Sequence, residues 1–370
     1  MFRKNLKKEL DLIKHQNLYR KLRGEVGIEL NFSTNDYLGL SKNKEVINAY
    51  DDGLKYGAGA TGSRLTSGNV NHEKLEETIS KFKETEKSLV YSSGYGANLG
   101  VISSLCKKGD LILSDELNHA SIVDGIRLSR ADKKIYPHNN ISNLIEILEE
   151  NRNYENKFIV TDAVFSMDGD IAQVDKLKKI ADEYNAVLIL DDAHGTGVLG
   201  GGKGTLHHFK IKPTDNIIQI GTLSKAVGTV GGFVTGIEEL IDYLINTSRS
   251  FIYSTALPPA VISASIKSFE LIKSGELTDK LSKNIDIANK IFKSSGFILE
   301  EKITPIYPFL FGEKSIKISE ELLNYKIFCV GIRYPTVKKG SERIRVSITA
   351  ENKKEDFEYL CESISKINNG

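Results

Sequence analysis

Lys225 stands four residues after Gly221 in Gln219-Ile-Gly-Thr-Leu-Ser-Lys-Ala-Val-Gly228, where the apolar run Ile217–Ile220 gives way to a Gly-Thr turn. An amine held at the end of a buried strand loses hydration, which lowers the cost of its neutral form. A neutral amine condenses with an aldehyde to a Schiff base, and pyridoxal phosphate is the commonest aldehyde held in this way. Thr222 and Ser224 add hydroxyls that could take a phosphate oxygen. The other groups such a cofactor needs follow apolar runs upstream. Asp191 ends Val187-Leu-Ile-Leu190, and a carboxylate there can pair with a pyridine nitrogen and keep it protonated, so that the ring withdraws charge from a carbanion. His194 could hydrogen-bond the cofactor's phenolic oxygen or the carboxylate. The competing interpretation of Asp191-Asp-Ala-His194 is a solvated turn with a capping histidine. Ser166 follows Phe158–Phe165, and His119 follows Leu111–Leu113, where an imidazole could stack on a flat ring. Gly94 and Tyr95 open a helix-like run, and the first N–H groups of a helix form a natural phosphate seat.

Two glycine-rich strings imitate nucleotide sites. Gly195-Thr-Gly-Val-Leu-Gly200 matches G-x-G-x-x-G, but that pattern needs a helix to open at its last glycine, and Gly200-Gly-Gly-Lys-Gly204 follows instead. Gly197–Gly204 approaches a P-loop, yet Gly204 replaces the Ser/Thr that would hold magnesium. These glycines are expected to make a flexible loop beside the cofactor.

The elements that must position these residues alternate along the chain. Strands are expected at 88–91, 111–113, 158–164, 187–190, 217–220 and 233–235, with amphipathic helices such as 71–82 and 174–184 between them. That alternation predicts an α/β fold with a mostly parallel sheet covered by helices, and ligands at the carboxyl ends of its strands. After Gly275 the texture changes to helix (277–294), strands (303–310, 344–348) and helix (354–367). The expected division is an N-terminal arm at 1–45, a large domain at 46–275 and a smaller α+β domain at 276–370.

Composition agrees with that plan. A chain of 370 residues, 40% hydrophobic, is long for one domain. Fifty basic against 49 acidic residues leave a net charge of +1, so no global field attracts nucleic acid or an anionic membrane. Cys106, Cys329 and Cys361 lie far apart, which argues against a disulfide framework or a zinc site and fits a reducing cytosol. No run approaches the roughly 18 apolar residues of a membrane span. The basic N-terminus, with Leu6, Leu10 and Ile13 at helical spacing, reads as a docking helix rather than a transit peptide, because Glu9 and Asp11 interrupt its charge and serine is absent.

Seven segments occur in order: Asn31–Leu40, Gly57–Gly68, Asn118–Ser121, Ser166–Asp170, Asp191–Gly195, Gly221–Ala226 and Arg343–Ala350. Over nearly its whole length the chain resembles the α-oxoamine synthases, fold-type I pyridoxal phosphate enzymes that join an amino acid to an acyl thioester with loss of CO₂. The resemblance implies a seven-stranded-type sheet domain with a smaller C-terminal domain, and makes Lys225 the lysine that carries the cofactor and moves the Cα proton. It makes Asp191 the pyridine-nitrogen partner, His194 the phenolic-oxygen partner and His119 the stacking ring. Gly94, Tyr95, Ser166 and Thr222 match positions that hold the phosphate and ring. Ser254 and Thr255 match a segment that reaches the phosphate of a neighbouring subunit, implying a homodimer with shared sites.

For the substrate, Arg345 matches an arginine that binds the amino-acid carboxylate, with Asn35, His119 and Thr349 among the substrate-binding positions. The alternative for Arg343 and Arg345 is a pair of solvent arginines on an edge strand. Arg20, placed near the end of the N-terminal helix, matches a further substrate arginine, with Arg23 close enough to leave the register open. Several strings look most like the member that joins alanine to a pimeloyl thioester, carried on CoA or a carrier protein; glycine with acetyl-CoA is the alternative pair. The presence of Lys225 argues against an inactive partner subunit.

Overall fold

The computed structural model describes residues 1–16, 18–20, 22 and 27–369. Its strands are β1 (Leu30–Asn31), β2 (Lys87–Tyr91), β3 (Leu111–Asp115), β4 (Asp132–Tyr136), β5 (Lys157–Asp162), β6 (Val187–Asp191), β7 (Ile217–Thr222), β8 (Gly232–Gly236), β9 (Ile306–Leu310), β10 (Ile327–Phe328), β11 (Val330–Ile332) and β12 (Arg343–Ser347). The chain forms two compact units, one of Thr34–Tyr307 with Ser347–Lys354, the other of Met1–Ser33, Pro308–Val346 and Glu355–Gly370.

The larger unit is built on a sheet of order β2-β8-β7-β6-β5-β3-β4. Only β8 runs antiparallel to its neighbours, so β2, β3, β5, β6 and β7 all end at one edge. Continuous apolar runs form these strands because both faces are covered. Phe158, Val160, Ile112 and Ile189 pack in a core with the helix Gly94–Leu105 on one face, while Ile159, Leu113, Leu188 and Leu190 pack with the helix Val174–Glu183 on the other. β4 is the strand that the apolar pattern misses. Its sequence Asp-Lys-Lys-Ile-Tyr buries only Tyr136, as suits an edge strand that charge protects from further pairing.

This division differs from the expected breaks at residues 45 and 275. The helix Glu276–Ser294 belongs to the larger unit, where it buries Leu281, Ile285, Ala288 and Phe292. Its Asn284 Nδ2 donates to the carbonyls of Thr349 and Asn352 at 2.9 and 2.8 Å, tying in the short return segment. The change of texture at Gly275 marks the end of strand–helix alternation, not the end of the core.

In the smaller unit β1 pairs parallel with β10, and β11, β12 and β9 form a sheet with β12 in the middle. The N-terminal helix spans Phe2–His15 and buries none of its residues. Arg20 therefore does not lie on that helix: the Gln16 N–H closes the last turn on Leu12 O, and Arg20 follows in irregular backbone. Arg23 lies outside the described residues. Among the described residues no helix is long and apolar enough to cross a membrane, and the three cysteines are buried and form no disulfide.

Candidate active site

The loops leaving the common edge of β2, β3, β5, β6 and β7 carry most of the residues singled out above, all within the larger unit. β7 and β8 form a hairpin in which the Leu223 N–H bonds Gly231 O, the Gly228 N–H bonds Lys225 O at 2.8 Å, and Lys225 sits half-buried in the turn. Thr222 Oγ1 donates to Gly231 O at 2.9 Å and accepts the Ser224 N–H at 3.2 Å, fixing the start of that turn.

Asp191, 5% exposed, ends β6 directly beside Asp162, its register partner on β5. Its Oδ1 accepts the Ala193 N–H at 3.0 Å, and its Oδ2 accepts Asn98 Nδ2 at 2.6 Å. The same Asn98 amide reaches Ser121 Oγ at 2.9 Å, which lies 2.7 Å from His119 Nδ1. His119 caps the helix Ala120–Ser129, its Nδ1 accepting the Ser121 N–H, so Nε2 is the protonated nitrogen of the neutral ring. Partial loss of hydration is the main cause lowering the His119 pKa; the Asp191 charge opposes it and the Lys225 charge reinforces it. These three side chains thus share one electrostatic neighbourhood. Burial and the adjacent Asp191 charge push the Asp162 carboxyl well above its usual range, although its Oδ2 accepts the His119 N–H at 2.6 Å and Lys225 opposes the rise.

The twin aspartates separate cleanly. Asp192 forms a buried ion pair with Lys83 at 2.7 Å and accepts Thr196 Oγ1 and the Thr205 N–H and Oγ1. This excludes the solvated Asp-Asp turn. It also corrects the expectation of a flexible glycine loop. Lys83 Nζ donates to Lys203 O at 2.8 Å, and Cβ atoms added at Gly195 and Gly204 would lie 2.1 and 1.9 Å from Asp192 oxygens. The glycines wrap tightly around a buried carboxylate. His194, 5% exposed, places Nδ1 at 2.7 Å from Tyr37 Oη, which also bonds Asn35 Oδ1 at 3.1 Å.

Ser93 caps the helix Gly94–Leu105 by accepting the Gly96 N–H at 2.9 Å, leaving the opening N–H groups at Gly94 and Tyr95 without carbonyls of their own turn. A Cβ on Gly94 would lie 3.2 Å from Thr222, and one on Gly232 would lie 2.5 Å from Gly94 N. This glycine-lined cradle at a helix start, a buried carboxylate for a pyridine nitrogen and an amine at the same sheet edge fit the chemistry of pyridoxal phosphate.

Ser166 is half-buried in the turn after β5. Ser254 is half-buried and Thr255 exposed in a loop held by the Ala256 N–H on Gly62 O and by His72 Nε2 at 3.1 Å from Leu257 O. Thr349 Oγ1 donates to Asn352 Oδ1 at 3.0 Å. Arg343 and Arg345 belong to the smaller unit, 6% and 4% exposed on the central strand of its sheet, which excludes the solvent-edge alternative. Arg20 is exposed in that unit, beside a cavity of about 500 Å³ shared with Tyr19, Phe328 and Arg333. Sequence reasoning missed Asn98, Ser121 and Lys83, whose only signal is a polar residue on an otherwise buried helix face.

The family model described as aminotransferase class I and II matches residues 28–364. A Methanococcus vannielii protein, provisionally named 8-amino-7-oxononanoate synthase, is 73% identical over 368 residues, covering 99% of this chain and 100% of that protein. The 8-amino-7-oxononanoate synthase 2 of Bacillus subtilis is 43% identical over 379 residues, covering 98% of this chain and 97% of its own. A solved serine palmitoyltransferase holding PLP superposes with a TM-score of 0.90 at 27% identity, covering 99% of this chain and 97% of that one.

Proposed function

The chain belongs to the class I and II aminotransferase family, and we propose that it condenses L-alanine with a pimeloyl thioester to give 8-amino-7-oxononanoate, CO₂ and a free thiol, a step of biotin biosynthesis. The fold is that of the fold-type I enzymes, and the cofactor is pyridoxal phosphate, which when bound supplies an electron sink for charge developing at the substrate Cα. The observation that carries the assignment is the buried Asp191 carboxylate, oriented by Asn98 and the Ala193 N–H within the electrostatic reach of Lys225 and His119.

In this reading Asp191 holds the proton of the ring nitrogen. Lys225 would carry the cofactor and offer Nζ as the base for the Cα proton. His119, tethered to Ser121, would stack on the cofactor ring. His194 would meet the phenolic oxygen, with Tyr37 and Asn35 behind it, and Ser166 would help hold the phosphate and ring. The Gly94 and Tyr95 N–H groups and Thr222 take the phosphate. Arg345, with Asn35 and Thr349 near the substrate, pairs with the alanine carboxylate, and Arg20 takes the far end of the diacid chain. Ser254 and Thr255 reach the neighbouring subunit's phosphate in a cytoplasmic homodimer.

The deciding experiment is a matrix of alanine, glycine and serine against acetyl, succinyl, pimeloyl and palmitoyl thioesters, read as kcat/KM by thiol release. Alanine with the pimeloyl thioester is expected to lead. A methyl group is worth only about 1–3 kcal/mol of discrimination, so glycine will show some turnover and the acyl chain is the sharper reporter. Glycine with acetyl-CoA in first place overturns the assignment.

A further inference from the structure

The turn after β3 delivers His119, and the turn after β5 delivers Ser166. A third residue, outside both turns, touches each. His138, just beyond the end of β4, places Nδ1 at 3.0 Å from Asp115 Oδ1 and Nε2 at 2.7 Å from Asp170 Oδ2. Ionised carboxylates only accept hydrogen bonds, so an imidazole meeting one at each nitrogen must donate from both and carries the proton. Its edge packs against the Phe165 ring at 4.3 Å between centroids.

Both aspartates are built into these turns, Asp115 at the start of one and Asp170 at the end of the other. Asp115 Oδ1 also accepts the Leu117 N–H at 2.9 Å, two residues before His119. Asp170 O accepts the Phe165 N–H at 3.0 Å, closing the loop that contains Ser166. Asn139 doubles the connection, its N–H donating to Asp115 Oδ2 at 2.9 Å and its Nδ2 to Asp170 Oδ2 at 3.0 Å. Glu116 also faces this corner, its Oε1 accepting the backbone N–H of His138 at 3.1 Å.

We infer that His138 is a positioning residue, an imidazolium strap between Asp115 and Asp170 that fixes the Ser166 turn relative to the His119 turn. The ion pairs of its ring go to these two aspartates, so it acts through their turns. The electrostatics agree. Burial pulls the His138 pKa down, but the hydrogen bonds and charges of Asp115 and Asp170 outweigh it and lift it to about 10. The strap is thus charged throughout the neutral range. That it serves a cofactor rests on the roles proposed for Ser166 and His119; that it joins the two turns rests on the contacts alone.

The test compares the full chain with His138→Gln and, should that variant fold poorly, with Asp170→Asn. Amide hydrogen exchange of the apoprotein is expected to accelerate about tenfold or more in 116–119 and 165–170, the loss of one hydrogen bond to a charged group, while the helix Val174–Glu183 exchanges as before. The pyridoxal phosphate dissociation constant should rise by about the same factor, with a shifted absorbance maximum of the bound cofactor. Selectively ¹⁵N-labelled histidine should show one ring, His138, doubly protonated at pH 8. Unchanged exchange in both turns, or a neutral His138 at pH 8, overturns the strap. Faster exchange with unaltered cofactor affinity and spectrum overturns its positioning role. A parent chain that binds no pyridoxal phosphate defeats the proposed function instead, and the exchange data still decide the strap.

Discussion

Asp191 and Asp192 are chemically identical neighbours, yet they call for opposite experimental signatures. Asp191 is oriented by two donors that hold it as an acceptor at a strand end, whereas Asp192 balances the only charge on a fully buried Lys83. Asp191→Ala should cost about 3–4 kcal/mol of barrier, as deletions of preorganised electrostatic groups do, and less stability than Asp192→Ala, because it strands donors but no charge. Asp192→Ala strands an ammonium in the interior and should cost about 3–5 kcal/mol of stability. Paired measurements of kcat and urea midpoint separate the two, and a stability loss confined to Asp191→Ala would reverse the assignment. Asp162 makes a third case. Its native pKa lies above the unfolded value of roughly 3.9, so from about pH 4 upward the unfolded chain releases a proton that the native chain keeps. This group's contribution to stability therefore falls as pH rises toward the native pKa. Asp162→Asn retains an acceptor for the His119 N–H and removes that loss, so its urea midpoint should gain on the parent's between pH 4 and 8. Equal midpoint shifts at all pH values would mean that Asp162 is ionised in the native chain.

Elements explain both what was legible in the sequence and what was not. The strands announced themselves as apolar runs, and residues such as Lys225, Asp191 and His119 were readable because each follows one. Asn98 and Ser121 lie within helices, and only the fold brings them to Asp191. Asp132–Tyr136 was silent because an edge strand keeps charges that periodicity cannot separate from a loop. The Arg20 placement failed for a related reason: no glycine or proline marks the end of the helix at His15, so its stop cannot be read from residue types. The loop that carries Ser254 and Thr255 has its own anchor in His72, whose pKa is lowered to about 4 by burial and by the Arg64 charge. A histidine that stays neutral while the unfolded chain takes up protons loses stability as pH falls from about 6.5 to 4. Chemical denaturation across that window should show the parent losing stability more steeply than His72→Gln. Parallel curves would remove His72 as the acid-sensitive anchor.

At the scale of the molecule, the chain leaves the smaller unit after Val346 and re-enters the larger one at Ser347, so Arg345 and Thr349 lie four residues apart in different compact units. With a net charge of only +1, no diffuse field would hold a carboxylate, so the role proposed for the buried Arg345 rests on paired hydrogen bonds. Arg345→Ala should raise the alanine KM at least about tenfold while leaving pyridoxal phosphate affinity and spectrum unchanged; an unaltered KM would shift the role to Arg343. The three cysteines, spread over both units, have a practical consequence. All are buried, and burial drives the Cys106 and Cys329 thiols far above neutrality, so they hold almost no thiolate to react with a disulfide dye. The proposed reaction ends in a free thiol. A chromogenic thiol reagent added to the native enzyme will therefore register product against a nearly silent protein background, and a sudden rise of three equivalents per chain would signal unfolding rather than turnover.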